Sequence, residues 1–159
     1  MTRKEQYNQL ILQIAGLIKD ETNLVGILAN VSAALHDTFP ERFFWVGFYL
    51  QENGNMLRLG PFQGSVACYV IPFGKGVCGK AWEEGCTLIV PDVEKFPGHI
   101  ACSSLSRSEI VVPMYDDSHT FRGVLDIDST HLNDFNEDDK EGLERIIELL
   151  MAETQDLFQ

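Results

Sequence analysis

Phe43-Phe44-Trp45-Val46-Gly47-Phe48-Tyr49-Leu50 is the stretch on which the fold turns. It is aromatic, suits a pleated half-buried surface, and reads as a strand. Asn53-Gly54-Asn55 is a turn signal, and Met56 to Leu59 returns as the next strand. Ala67 to Ile71, Thr87 to Val90, Glu109 to Tyr115 and Phe121 to Asp128 complete a set of about six strands. Asp116-Asp117-Ser118 is a polar turn between the last two, which predicts a hairpin.

Outside this strand-rich middle the pattern changes to a helical period. Leu10, Ile11, Ile14, Leu17 and Ile18 form one apolar stripe, and Leu24, Ile27, Leu28, Val31 and Leu35 form a second. A third stripe, Leu143, Ile146, Ile147, Leu150 and Met151, follows Asn136 as N-cap and the acidic first turn Glu137-Asp138-Asp139. Gly76 to Glu84 predicts a short helix. Each stripe needs a partner surface, since an isolated amphipathic helix is marginal in water. Helices at both ends of a strand-rich middle predict an α+β fold with helices packed on an antiparallel sheet. No repeat, low-complexity tract or linker interrupts the 159 residues, so one domain is expected over 1–159.

Twelve Lys and Arg against twenty-four Asp and Glu give a net charge of −12. A chain this acidic is a poor partner for phosphate backbones or anionic membranes, which argues against nucleic acid and membrane binding. No apolar run approaches the ~20 residues of a membrane span. The start, MTRKEQYNQ, lacks the apolar core of an export signal. A cytoplasmic location is therefore expected, with the four cysteines as thiols rather than structural bridges.

Two stretches exceed what a simple core needs. One runs from Gly60-Pro61-Phe62-Gln63-Gly64 through Phe73-Gly74-Lys75-Gly76-Val77-Cys78-Gly79. Its last part matches G-x-G-x-x-G, but no βαβ unit surrounds it, so the glycines read as a tight turn with close backbone approach. The other is the loop from Pro91 to Ser108, too apolar for disorder, which reads as an ordered lid or site wall.

Of the cysteines, Cys102 lies in that loop, where neither helix nor strand accounts for it, and is a candidate reactive thiol. Cys68 and Cys78 lie in or beside the Gly-rich segment. Cys86, at a turn after Glu83-Glu84-Gly85, reads as a buried space-filling thiol. Cys78, Cys86, Cys102 and His99 could supply four zinc ligands, but their spacing fits no usual zinc pattern, and His99 reads as a loop residue packing or hydrogen-bonding near Cys102. Glu109 opens a strand. Asp126 and Asp128 alternate with Leu125 and Ile127, so both carboxylates share one strand face. That face is either simply solvated or an anionic patch for a cation such as a substrate ammonium.

Taken together, several runs closely resemble the free methionine-(R)-sulfoxide reductases. They are Gly60-Pro61-Phe62-Gln63-Gly64, Ala67-Cys68, Ile71 to Gly79, Val90-Pro91-Asp92-Val93, Phe96 to Cys102, Ser108 to Pro113 and Gly123 to Ser129. The resemblance spans nearly the whole chain. It implies a GAF domain, a sheet of about six antiparallel strands carrying N- and C-terminal helices. It also implies reduction of free methionine (R)-sulfoxide, with thioredoxin as reductant, no metal or organic cofactor, and room for a homodimer. By resemblance, Cys102 is the nucleophile and Cys68 the resolving thiol that forms a disulfide with it. Cys78 matches a third family cysteine, a relay or alternative resolver. Glu109, Asp126 and Asp128 match acids that hold substrate, and Trp45 and Tyr49 match pocket aromatics. Glu109, in a partly apolar pocket, is also the candidate acid for the sulfoxide oxygen. The competing expectation is a GAF-type small-molecule sensor or binding module without catalysis. A sensor usually carries an output domain, for which 159 residues leave no room.

Overall fold

Helix α1 (Arg3–Ile18) opens the chain in the computed structural model, which describes residues 1–158. Its start is fixed by a capping box: the Glu5 N–H donates to the Thr2 hydroxyl and the Thr2 N–H donates to the Glu5 carboxylate, both at 3.1 Å. Helix α2 (Leu24–Thr38) follows, capped by Asn23. Strands β1 (Trp45–Glu52), β2 (Met56–Gln63) and β3 (Val70–Pro72) come next, then helix α3 (Gly76–Glu84) and strand β4 (Leu88–Val90). After the long loop, β5 (Ser108–Tyr115) and β6 (Phe121–Ser129) form the expected hairpin. Helix α4 (Glu137–Thr154) ends the fold, with Asn136 as its N-cap. Among the described residues no helix is long and apolar enough to cross a membrane.

The six strands form one antiparallel sheet in the order β3-β2-β1-β6-β5-β4. The expected α+β class and strand number are thus observed. Several strand limits differ from expectation: β1 begins at Trp45 rather than Phe43 and runs on to Glu52, and two further differences lie near the site. Gly60 to Gln63, read as irregular, continue β2 and pair with β1. Pro61 is tolerated because β3 pairs only with Met56 to Arg58, leaving this end of β2 without an outer neighbour. Conversely Ala67 and Cys68, read as strand, lie outside β3.

Period-two alternation divides the sheet's two faces. Val46 and Phe48 of β1, Ile110, Val112 and Met114 of β5, and Leu125 and Ile127 of β6 join the stripes of α1, α2 and α4 in one core. Trp45, Tyr49, Val111 and Val124 face the other way and pack with Val77, Cys78 and Ala81 of α3 in a second cluster. The helix core closes the first face; α3 and the long loop stand over the second.

One polar knot ties the helical layer together. Asp139, fully buried in the first turn of α4, accepts from the Tyr7 hydroxyl (2.7 Å), Arg3 Nη1 (2.8 Å), Arg42 Nη2 (2.9 Å) and its own N-cap N–H (2.9 Å). Breaking a buried ion pair from one side leaves the other charge uncompensated. Asp139→Ala is therefore expected to destabilise the fold by about 3–5 kcal/mol in urea unfolding. Asp139→Asn, whose one carbonyl oxygen can still accept from either Tyr7 or the N-cap, should lose less.

Candidate active site

Strand register builds the floor of the site. In the β5–β6 ladder Glu109 lies opposite Asp128, and Val111 opposite Asp126. In the β1–β6 ladder Trp45 pairs with Asp128 and Gly47 with Asp126. Alternation then aims Glu109, Asp126 and Asp128 at one recess, with Trp45 and Tyr49 beside them. The recess encloses about 510 Å³ counting its open mouth, and Cys78 and Cys102 also line it.

Its walls come from the segments that look irregular in sequence. Gly76, at φ +62°, starts α3 in the left-handed region, and a Cβ there would sit 3.0 Å from the Ile100 side chain of the loop. A Cβ at Gly79 would lie 2.6 Å from the Pro72 carbonyl oxygen. The glycines thus serve a tight turn and close approach, as expected from the sequence. The Trp45 indole stacks on Phe62 at 5.0 Å and donates to the Ser65 carbonyl at 3.0 Å. The Tyr49 hydroxyl donates to the Cys68 carbonyl at 2.9 Å, anchoring the segment that carries that cysteine.

Cys68 and Cys102 are joined in a disulfide, with their Cα atoms 5.5 Å apart. Cys78 is a free thiol buried against Asp126, and burial pushes its pKa well up. Cys86 corrects the sequence reading: it is exposed rather than space-filling. It follows Gly85, whose φ of +68° ends α3 in a left-handed cap, and it borders a separate groove with Tyr115 and His119. The zinc set Cys78, Cys86, Cys102 and His99 is therefore not assembled. The donors that do converge are Cys78, Glu109 and Asp126, whose ligand atoms lie within 4.8 Å of one another.

The electrostatics follow from three carboxyl groups in one poorly solvated place. Burial, and then the neighbouring Asp128 charge, push Glu109 up to about 8. Burial and Glu109 raise Asp126 well above the ordinary aspartate range; burial and Asp126 do the same to Asp128. Asp126 is 6% exposed, and its Oδ1 is buried without a hydrogen-bond partner. Among the described residues no Lys or Arg lines the recess. The strand face is thus not simply solvated: Glu109 and Asp126 are buried and Asp128 is half-buried.

All the sequence-selected residues except Cys68 line the recess, and Cys68 is covalently bound to one that does. His99 lines the recess with Cys102, as expected, and its approach to Glu109 is not legible in the sequence. Its Nε2 lies 3.7 Å from Glu109 Oε1, and burial lowers its pKa. Its one sequence signal is its place three residues before Cys102.

A carboxyl held protonated in the fold stabilises it below the unfolded-state pKa, and this stabilisation is lost as pH rises through the folded value. For Glu109 the folded protein binds the extra proton between the ordinary glutamate range and about 8. Stability should therefore fall across that window, by up to about 1.4 kcal/mol per pH unit for one full proton. Glu109→Gln should flatten the slope and raise stability at pH 8, read from chemical unfolding across the pH range.

No protein-family model matches the chain. GAF domain-containing protein A of Dictyostelium discoideum is 56% identical over 149 residues, covering 94% of this chain and 92% of that protein. The free methionine-R-sulfoxide reductase of Saccharomyces cerevisiae is 43% identical over 155 residues, covering 94% of this chain and 86% of the relative. The X-ray structure of free methionine-R-sulfoxide reductase from Neisseria meningitidis in complex with its substrate superposes with a TM-score of 0.93 at 47% identity. It covers 98% of this chain and 92% of its own.

Proposed function

Because the chain belongs to the free methionine-R-sulfoxide reductases, we propose that it reduces free L-methionine (R)-sulfoxide to methionine, with Cys102 as nucleophile, in one GAF domain spanning 1–159. The observation that carries the assignment of residues is the Cys68–Cys102 disulfide, one sulfur of which lines the same recess as the buried carboxyl groups of Glu109 and Asp126 and the half-buried one of Asp128. A redox pair and a cation-seeking acidic floor are the two things this substrate needs.

The chemistry runs as follows. Asp126 and Asp128 receive the substrate α-ammonium, which gives the orphaned Asp126 oxygen a charged donor. The Trp45 ring packs against the ε-methyl. The Cys102 thiolate attacks the sulfoxide sulfur while Glu109, protonated at neutral pH, gives its proton to the sulfoxide oxygen. The hydroxyl passes from the substrate sulfur to the Cys102 sulfur as the S–O bond and the new sulfur–sulfur bond break, so methionine leaves and Cys102 holds the oxygen as a sulfenic acid. The Cys68 thiol condenses with it, releasing water and forming the disulfide. A thioredoxin-type dithiol then reopens that bond by exchange. Cys78 is the weaker candidate resolver, since burial keeps it a thiol rather than the thiolate that attacks. A cytoplasmic location fits the need for a continuous dithiol supply.

Reduced protein given free methionine-(R)-sulfoxide without reductant should yield about one methionine per chain and the Cys68–Cys102 disulfide by peptide mass mapping. Cys102→Ser should yield none. Cys68→Ser should yield the first methionine but leave a Cys102 sulfenic acid that dimedone traps. Normal recycling by Cys68→Ser, together with failure of Cys78→Ser, would transfer the resolving role to Cys78.

Substrate selectivity tests the acidic floor separately. N-acetylation removes the ammonium and leaves buried carboxylates unpaired, at a cost of a few kcal/mol, so kcat/KM should fall by about 100-fold or more. Asp126→Asn and Asp128→Asn should narrow that ratio by losing activity mainly on the free amino acid. Variants that discriminate as strongly as the parent would remove the carboxylates from ammonium binding.

A further inference from the structure

We propose that the uncharged apolar surface around the Cys68–Cys102 disulfide, displayed by Val66, Tyr69 and Leu105, is the docking face for a dithiol protein of the thioredoxin type, which attacks Cys68 from there. This rests on the reading above, in which such a dithiol reopens the disulfide. It adds where the partner sits and which sulfur it meets.

Exposure marks the place. Val66 is 88% exposed and Tyr69 77%, the two most exposed large apolar side chains among the described residues. They stand two residues before and one residue after Cys68. Leu105, 59% exposed, stands three residues after Cys102. The linked Cα atoms are 5.5 Å apart, so the two segments meet at the disulfide. Val66 also lines the recess with Cys102, Ser103 and Ser106, which brings the segments together beyond the bond itself. Exposed apolar side chains gathered in this way mark an interaction site, whereas the same residues scattered singly would not.

Charge is withheld from the same place. From Leu59 to Gly74, and again from Phe96 to Ser106, the chain carries no Asp, Glu, Lys or Arg, although twelve basic and twenty-four acidic residues are spread over the rest. The centre of a protein interface is depleted of charge and enriched in aromatic residues such as tyrosine. Covering this patch desolvates no ion. It also spares a partner direct contact with the charges of a chain whose net charge is −12.

The disulfide decides which partner covers the patch. Its reduction needs a thiolate brought up to one sulfur, and the partner must then leave with the disulfide it has acquired. Three exposed side chains around a half-buried cysteine pair suit a small, transient redox contact rather than a lasting assembly. Cys102 lines the recess that receives methionine sulfoxide; Cys68 does not, and it is flanked by the two most exposed side chains. The partner's thiolate therefore forms its bond to the Cys68 sulfur, and the Cys68–Cys102 bond breaks with its electron pair on Cys102. The partner's second thiol then displaces Cys68 from the mixed disulfide. Two electrons and two protons pass from the dithiol to the cysteine pair. Cys102 is freed at the recess wall, where the next substrate meets it.

Tyr69→Glu and Leu105→Glu each place a charge in the patch without altering a residue that lines the recess. Recycling is measured with a bacterial thioredoxin kept reduced by its reductase and NADPH, and separately with dithiothreitol. In each variant kcat/KM for thioredoxin should fall by about tenfold or more. With dithiothreitol, kcat and the KM for free methionine-(R)-sulfoxide should keep their wild-type values. Leu12→Glu, at an exposed apolar position on α1, should leave both assays unchanged. A thioredoxin that keeps only its attacking cysteine should be trapped by acid quench as a mixed disulfide on the Cys68 peptide. Wild-type kinetics with thioredoxin in both patch variants, an equal loss with dithiothreitol or in Leu12→Glu, or a mixed disulfide on Cys102 would overturn the proposal. So would a changed oligomeric state in the patch variants, which would assign the face to a second copy of the chain. Wild-type protein recycled by dithiothreitol but not by thioredoxin would overturn it as well. Wild-type protein that reduces no sulfoxide with either reductant would instead overturn the proposed function, and the docking face with it.

Discussion

The alternation of side chains across β1, β6 and β5 is the constraint on which everything else depends. Odd residues of β1 and β5 and even residues of β6 face α3 and the long loop; the remainder face the helical core. The pattern is unforgiving, because a slip of one residue exchanges the two faces. Asp126 and Asp128 would then enter a core closed by α1, α2 and α4, and Leu125 and Ile127 would line the recess. The same register sets Glu109 directly opposite Asp128. Like charges placed so are destabilising in a sheet. The arrangement persists because burial keeps protons on the cluster, so that charge repulsion is exchanged for raised pKa values.

The walls are held by different means from the floor. The segment carrying Cys68 leaves β2 before β3 begins, and Cys102 sits in the loop ahead of β5. Their disulfide joins two pieces of chain that the hydrogen-bond ladder does not connect. Cys78 differs because it belongs to α3 and to the second hydrophobic cluster. Its packing makes it part of the scaffold, whatever its redox chemistry.

The parts of the fold legible in sequence were those with a period. The stripes of α1, α2 and α4, the Asn136 cap and the β5–β6 hairpin all follow from spacing and turn chemistry. Gly60 to Gln63 were not legible as strand, because Gly-Pro-Phe-Gln-Gly is turn chemistry and only pairing with β1 overrides it. Cys86 failed for a related reason: the preference of free cysteine for the interior yielded to the left-handed cap at Gly85, which turns the chain outward. At the site, alternation put both aspartates on one face, but which face was wet depended on α3 and the loop covering it. His99 was hidden because its partner, Glu109, is joined to it only by the loop's path in space.

The buried acid cluster also removes an apparent conflict in the proposed chemistry. A site that binds an ammonium needs negative charge, whereas a site that protonates a sulfoxide needs a neutral acid. In the recess, burial and mutual repulsion raise all three carboxyl groups, and Asp126 has an oxygen without a hydrogen-bond partner. An arriving ammonium lowers the cost of ionisation for the carboxyl it contacts. That new negative charge then favours retention of the proton on the neighbouring Glu109, because two adjacent carboxylates ionise together only with difficulty. Substrate binding thus assigns the two roles to different members of one cluster. A methionine sulfoxide within a peptide, carrying no ammonium, would leave the assignment unmade, so recognition of the free amino acid and readiness of the acid have the same physical origin.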